Sequence, residues 1–246
     1  MTAIDTVDLR MEFGDVTALD DLHLTVEDGE LFGLLGPNGS GKTTTIEILT
    51  GQRRPTGGSA TVLGIDPVEH PLDVRSKIGI LPEREDPPSF LTPREYLEFV
   101  AEIRGLEDVD GQIDRWAEKL SFEGKLDTLA INLSEGERQR VMLAQAFFHE
   151  PSLVFIDEPL VNLDPILQEE VKDHLQTYCR SGNTLFLSTH FVDVAEDLCT
   201  QVGILREGQL LGTTDPRTLE GGQSLLDYFL STVEGDEPEA VPTTGR

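Results

Sequence analysis

Gly36-Pro37-Asn38-Gly39-Ser40-Gly41-Lys42-Thr43 follows the apolar run Leu31-Phe32-Gly33-Leu34-Leu35 and runs on into Thr44-Thr45-Ile46-Glu47-Ile48-Leu49. The octet fits the pattern G-x-x-x-x-G-K-[ST], a phosphate-binding loop set between a strand and a helix. Glycines let successive backbone N–H groups turn inward onto phosphate oxygens, and the helix that follows points its positive end at them. Residues 30–35 therefore predict a buried strand, and a helix is expected from near Lys42 to near Gly51. Lys42 is placed to reach the β- and γ-phosphates of a nucleotide. The Thr43 hydroxyl is placed to coordinate Mg²⁺, with Thr44 continuing the loop into the helix. A kinase, a GTPase and many ATPases share this much.

A second apolar run, Leu153-Val154-Phe155-Ile156, ends in Asp157-Glu158. A buried strand that finishes in two acids puts them at the carboxyl edge of a parallel sheet, where ligands of α/β proteins bind. Asp157 is the candidate Mg²⁺ ligand. Glu158 is the candidate base, or orienting carboxylate, for an attacking water. Working outward, residues 6–13, 22–26, 59–63, 78–81, 184–188, 201–206 and 209–212 read as further strands, the last two as a hairpin around Glu207-Gly208. Helices are expected at 93–104, with Thr92-Pro93 as cap and first residue, and at 112–120, 134–148, 165–180 and 191–199. Strands alternating with helices predict an α/β fold with a mostly parallel sheet covered on both faces. The early strands lack helices between them and predict an antiparallel layer. The helix-rich stretch at about 86–150 reads as an inserted helical subdomain within a domain spanning 1–232, and 233–246 as an acidic, disordered tail.

The 246 residues carry 19 basic and 46 acidic side chains, a net charge of −27. That balance excludes nonspecific binding to a phosphate backbone or to anionic lipid, both of which depend on Lys and Arg. No run approaches the ~20 apolar residues of a membrane span, and the first residues carry no basic and apolar leader. Cys179 and Cys199 give no disulfide framework and suit a reducing cytoplasm. Of the 19 basic residues only Lys42, Lys77, Lys119, Lys125 and Lys172 are lysines. Excess carboxylate with few lysines suits a cytoplasm at very high salt, as in a halophile; the alternative is an ordinary acidic protein. Forty-six carboxylates on 246 residues repel one another at low ionic strength. The melting temperature and any nucleotide-dependent activity are thus expected to rise between dilute buffer and ~1 M KCl, where the Debye length falls to ~3 Å. A melting temperature independent of salt would overturn this reading.

Between the two motifs lies Leu133-Ser134-Glu135-Gly136-Glu137-Arg138-Gln139-Arg140. It resembles the Leu-Ser-Gly-Gly-Gln signature of ABC (ATP-binding cassette) ATPases, and other elements occur in that family's order. Phe13 before Gly14 and Ala18-Leu19 is similar to the adenine-stacking loop, Leu81-Pro82-Glu83 to the Gln loop, Val161-Asn162-Leu163-Asp164 to the D-loop and Ser188-Thr189-His190 to the switch histidine. The resemblance runs from about residue 6 to 212. It implies a P-loop NTPase with a RecA-like parallel core sheet, an N-terminal antiparallel β subdomain and the helical insertion. It further implies ATP and Mg²⁺ as cofactors and a head-to-tail dimer with two ATP molecules at its interface. Phe13 and residues Gly36 to Thr44 would bind one nucleotide. Ser134, Gly136 and Glu137 of the partner subunit would close over it, with Asp164 in the D-loop. Lys42, Glu158 and His190 would carry the catalytic step, and Thr43, Glu83 and Asp157 the metal.

Three positions depart from the family pattern. Phe13 replaces the more usual Tyr and keeps the stacking face. Glu83 replaces Gln and can still hold Mg²⁺ or water, a replacement familiar among exporter-type cassettes. Glu135 and Glu137 replace Gly and Gln, which favours the helix dipole but brings negative charge near a γ-phosphate. One cassette without a membrane span implies a separate integral membrane permease and a place on the cytoplasmic face of the membrane. Gly222-Gln223-Ser224-Leu225-Leu226-Asp227-Tyr228-Phe229-Leu230 resembles the end of exporter-type cassettes, so the expected function is to power export. The alternative is a soluble cassette ATPase acting on nucleic acid or ribosomes. Such proteins usually pair two cassettes or carry coiled-coil insertions and basic surfaces, and none of these is in this sequence. A GTPase would need an Asn-Lys-x-Asp motif to read its base, and the sequence contains none.

Overall fold

A computed structural model describes residues 1–83, 86–158, 164–219 and 222–235 of the chain. Its larger sheet has six strands: β3 (Leu31–Leu35), β5 (Ile78–Leu81), β6 (Leu153–Asp157), β7 (Thr184–Thr189), β8 (Gln201–Arg206) and β9 (Gln209–Thr214). They lie in the order β5-β6-β7-β3-β8-β9, parallel except for β9, which returns antiparallel beside β8. Every residue of β3, β6 and β7 is buried, which is why these strands read as continuous apolar runs rather than as alternation.

Alternate residues of this sheet serve two cores. Phe32, Phe155 and Phe186 point to one face and stack at 5.4–5.6 Å between ring centres. They pack there against Leu9, Leu19 and Leu24 of the second sheet. Leu31, Val154 and Leu187 point to the other face, against the helices. The second sheet is antiparallel, in the order β2-β1-β4, with β1 (Thr2–Phe13), β2 (Val16–Glu27) and β4 (Gly57–Val62). β1 and β2 are longer than the expected 6–13 and 22–26. The ladder shifts register between Thr6 and Leu9 and again by Met11, and Asp8 and Asp21 sit at φ 50° and 59°. Such irregularities break the period-two pattern by which a strand is read from sequence.

The helices are α1 (Lys42–Leu49), α2 (Pro71–Lys77), α3 (Pro93–Arg104), α4 (Val109–Lys119), α5 (Glu135–Phe147), α6 (Pro165–Arg180), α7 (Val192–Leu198) and α8 (Leu225–Gly235). The Thr92 side chain caps α3 in a reciprocal box with Glu95, and Gly105 ends it at φ 65°, as start and stop chemistry requires. α4 starts three residues before the expected 112, after Asp108 in the left-handed region. α2 was not expected from the sequence. Its single buried residue is Val74, so it shows no apolar stripe. α8 runs on to Gly235, and residues 236–246 lie outside the described residues. Trp116 of α4, Phe147 of α5 and His174 and Tyr178 of α6 form one aromatic cluster, with ring centres 4.8–5.9 Å apart. It ties the α3–α5 segment to the helices on the sheet. Among the described residues no helix is long and apolar enough to cross a membrane.

Candidate functional site

β3 is the central strand, and the loop that leaves it is fixed by its neighbours. The Gly36 N–H donates to the Thr189 carbonyl at 3.2 Å. Gly39 and Gly41 adopt φ 82° and 111°, a region that glycine enters without penalty. A Cβ on Gly41 would lie 2.6 Å from the Ala18 carbonyl oxygen, and one on Gly36 would run into that of Leu205. Gly41 is thus demanded by close backbone approach as well as by the turn, Gly36 by close approach and Gly39 by its turn. α1 begins at Lys42 with no side-chain cap and no acid in its first turn. Its first N–H groups have no partner within the helix, so they and the helix dipole are left for an anion. Lys42 Nζ donates to the carbonyls of Gly36 at 2.8 Å and Pro37 at 3.2 Å, and lies 3.9 Å from Glu158. Burial pushes its ammonium below the usual lysine value, against the opposing pull of Glu158, Asp157 and Glu83. Ser40 Oγ is buried without a hydrogen-bond partner among the described residues.

The acids arrive from β6, two strands away. β6 pairs with β7 in a register that sets Asp157 beside Ser188. The Ser188 hydroxyl donates to Asp157 Oδ1, and the Thr43 hydroxyl donates to Asp157 Oδ2 at 2.9 Å. Glu158 follows at φ 54°, an uncommon conformation for a residue with a side chain and one that recurs at functional sites. Its N–H donates to the Ser188 carbonyl at 3.1 Å. Its carboxylate accepts from Thr189 Oγ1 at 3.4 Å and meets His190 Nδ1 at 2.8 Å. A carboxylate can only accept, so Nδ1 carries the proton and Nε2 is the nitrogen turned to other work. Asp157 and Glu158 are 4% and 7% exposed, so each depends on these fixed partners rather than on water.

The ends of β3, β6 and β7 thus share one cleft of about 530 Å³, lined by Ala18, Asn38, Gly39, Gly41, Lys42, Thr43, Thr44, Glu83, Asp157, Glu158 and His190. Free helix N–H groups and one ammonium fit a polyphosphate. Thr43 and Asp157 in contact, with Glu83 on the same wall, form a set of hard oxygen donors that fits Mg²⁺.

The other candidates lie elsewhere. Phe13 ends β1 outside the cleft lining, 41% exposed, with the Arg53 guanidinium 5.0 Å from its ring centre. Gly36, Pro37 and Ser40 shape the loop from behind. Ser134, Gly136 and Glu137 form the amino end of α5, away from the cleft lining, and Ser134 is its N-cap. Asp164 caps α6, accepting from the N–H groups of Ile166 and Leu167 at 3.0 and 3.1 Å. The rest of the expected D-loop, Val161 to Leu163, lies outside the described residues. Ala18, which the sequence grouped with Phe13 and Gly14, lines the cleft. Sequence reasoning missed Ser188 as the partner of Asp157 and Arg53 over Phe13. The Ser188-Thr189-His190 run pointed to the first, since a strand ending in polar residues marks the working edge of a parallel sheet. Nothing in the sequence signalled the second.

Residues 19–161 match the family model described as ABC transporter. The chain is 34% identical over 89% of its length to the probable multidrug ABC transporter ATP-binding protein YbhF of Escherichia coli (strain K12), of whose length it spans 38%. It is 32% identical over 95% of its length to the Nod factor export ATP-binding protein I of Cupriavidus pinatubonensis, covering 72% of that protein. A solved ATP-binding subunit of an ABC transporter superposes with a TM-score of 0.85 at 28% identity, over 94% of this chain and 100% of that one. A dimeric ATP-binding cassette with ADP and phosphate has the same fold, with a TM-score of 0.81 at 22% identity, over 88% of this chain and all of that one.

Proposed function

The chain belongs to the ATP-binding proteins of the ABC transporter family, and from that premise we propose that it binds and hydrolyses ATP to power export through a separate membrane permease. The observation that carries the catalytic reading is the meeting of Lys42, Thr43, Asp157, Glu158 and His190 in one cleft. The phosphates of ATP lie on the loop from Gly36 to Thr44, with Lys42 against the β- and γ-phosphates. Adenine stacks on the open face of Phe13. Thr43, Asp157 and Glu83 would hold Mg²⁺, which would neutralise phosphate charge. Glu158 orients the water that attacks the γ-phosphorus and takes its proton, while the bond to the bridging oxygen breaks and leaves ADP and phosphate. His190 is held through Nδ1 by Glu158. It turns its other edge to the γ-phosphate and registers its loss.

The second half of each site comes from a second copy of this chain. Ser134 accepts from the Glu137 N–H, so its own hydroxyl hydrogen stays free for a γ-phosphate across an interface. Gly136 has open space where a side chain would stand. The α3–α5 segment beside Glu83 is the surface offered to the permease, with the chain at the cytoplasmic face of the membrane. Export is favoured over import by the names of the relatives, and over action on nucleic acid by the net charge of −27.

Sedimentation tests the dimer. Glu158→Gln protein is expected to dimerise with ATP, and adding Ser134→Arg is expected to block it, because a bulky cation stands where the loop must approach the nucleotide. Equal dimerisation by both proteins would overturn the trans contact. Tagged chain purified from its own membranes is expected to bring a permease with it, and recovery with ribosomes or nucleic acid instead would favour the alternative.

A further inference from the structure

The amino end of α5 is where this chain departs from the signature it resembles, with Glu135 and Glu137 in place of Gly and Gln. Both oxygens of Glu137 are already engaged. Oε2 accepts from the Ser134 N–H at 2.8 Å, and Oε1 lies 3.0 Å from Lys125 Nζ. The Ser134 hydroxyl oxygen accepts from the Glu137 N–H at 3.3 Å, closing a reciprocal cap. Lys125 comes from a separate 3-10 turn, Glu123–Lys125, so the contact joins two segments of the chain. The Ser134 N–H, and after it Lys125, hold the Glu137 carboxyl below its ordinary value. It therefore stays charged at neutral pH.

A charged Glu137 at this position is a liability if the loop closes on ATP. The dimer brings each α5 amino end toward the γ-phosphate of the other subunit, and a bare carboxylate there repels it. We infer that Lys125 is a positioning residue of the ATP-bound dimer: it cancels the charge of Glu137 and pins its carboxylate to its own helix, leaving the Ser134 hydroxyl and the first α5 N–H groups to face the γ-phosphate. The inference rests on the trans reading of Ser134 proposed above. Lys125 acts here through Glu137 and does not itself touch the nucleotide.

The test is the ATP-dependent dimer of Glu158→Gln protein, followed by sedimentation in dilute and ~1 M KCl. Lys125→Gln is expected to weaken that dimer about tenfold in dilute salt and less at ~1 M, where charge is screened. Lys125→Arg, which keeps the cation, is expected to stay within about twofold of the parent. Glu137→Gln is expected to make the dimer indifferent to Lys125→Gln, because the charge that Lys125 cancels is gone. That double-mutant coupling separates positioning from a purely structural role. Undiminished loss from Lys125→Gln in the Glu137→Gln background would overturn the inference, as would a Lys125→Gln dimer as tight as the parent. Ser134→Arg in the same background keeps the two readings apart. If it fails to block the dimer, the trans contact falls and this inference with it. If it blocks the dimer while Lys125→Gln changes nothing, the role of Lys125 alone is refuted.

Discussion

Glu158→Gln is expected to bind ATP as the parent does and to hydrolyse it ~10² to 10⁴-fold more slowly, the range that a positioned proton acceptor supplies. The amide is isosteric, so the packing of a side chain only 7% exposed is kept. What is lost is the ability to take a proton. The amide also changes the neighbourhood in a defined way, because His190 Nδ1 at 2.8 Å now meets a neutral oxygen or an N–H rather than a carboxylate. Lys42 at 3.9 Å loses an opposing charge, which leaves it freer to pair with phosphate, so ATP affinity is expected to hold or rise slightly. Single-turnover hydrolysis alongside equilibrium nucleotide binding checks both halves. Turnover within twofold of the parent would remove Glu158 from the chemistry, and a matching loss of affinity would make it a binding residue instead.

The cleft at the edge of the sheet was legible because its residues are local in sequence. Gly36 to Thr43 is a contiguous octet, Asp157-Glu158 ends a run of four apolar residues, and His190 follows a strand by one position. Parallel topology then brings the three ends together without further instruction, since β6, β7 and β3 are successive neighbours in the sheet. What sequence reading missed is what depends on contacts between distant segments. The Ser188 bond to Asp157 comes from strand register, the Arg53 guanidinium over Phe13 from the approach of the residues after α1 to the β1 hairpin end, and the Lys125–Glu137 pair from the approach of a 3-10 turn to α5. The extent of β1 and β2 was hidden for a related reason. Bulges around Asp8 and Asp21 interrupt alternation, and only pairing with a partner strand shows that the ladder resumes. Glu135 and Glu137 read as repulsive in sequence because charge alone is visible there. In the fold, Glu137 is paired with Lys125 and accepts from the Ser134 N–H of its own helix.

Lys42→Ala is expected to lose roughly 10²-fold in ATP affinity, since a charge-assisted contact to two phosphates is worth about 1.5–3 kcal/mol, and to lose turnover with it. Lys42 is the one lysine or arginine lining the cleft among the described residues, so none of them stands in for it. The same substitution makes an opposite prediction for the nucleotide-free fold. Burial pushes the Lys42 ammonium below its ordinary value, which means that folding disfavours its charged form relative to the unfolded chain. For a lysine depressed in this way, the penalty is present at neutral pH and is relieved only as pH rises through the folded value toward the unfolded one. Alanine removes that penalty along with the two bonds to the Gly36 and Pro37 carbonyls. The melting temperature without nucleotide is therefore expected to stay level or rise, while the stabilisation that ATP adds to the parent, which grows with the ratio of ligand to Kd, shrinks. Melting curves with and without ATP separate the two effects on one sample. ATP affinity unchanged in equilibrium binding would overturn the phosphate-loop assignment. A nucleotide-free melting temperature that drops sharply would instead show that Lys42 serves mainly to tie the loop to itself, with its two carbonyl bonds outweighing the cost of burying its charge.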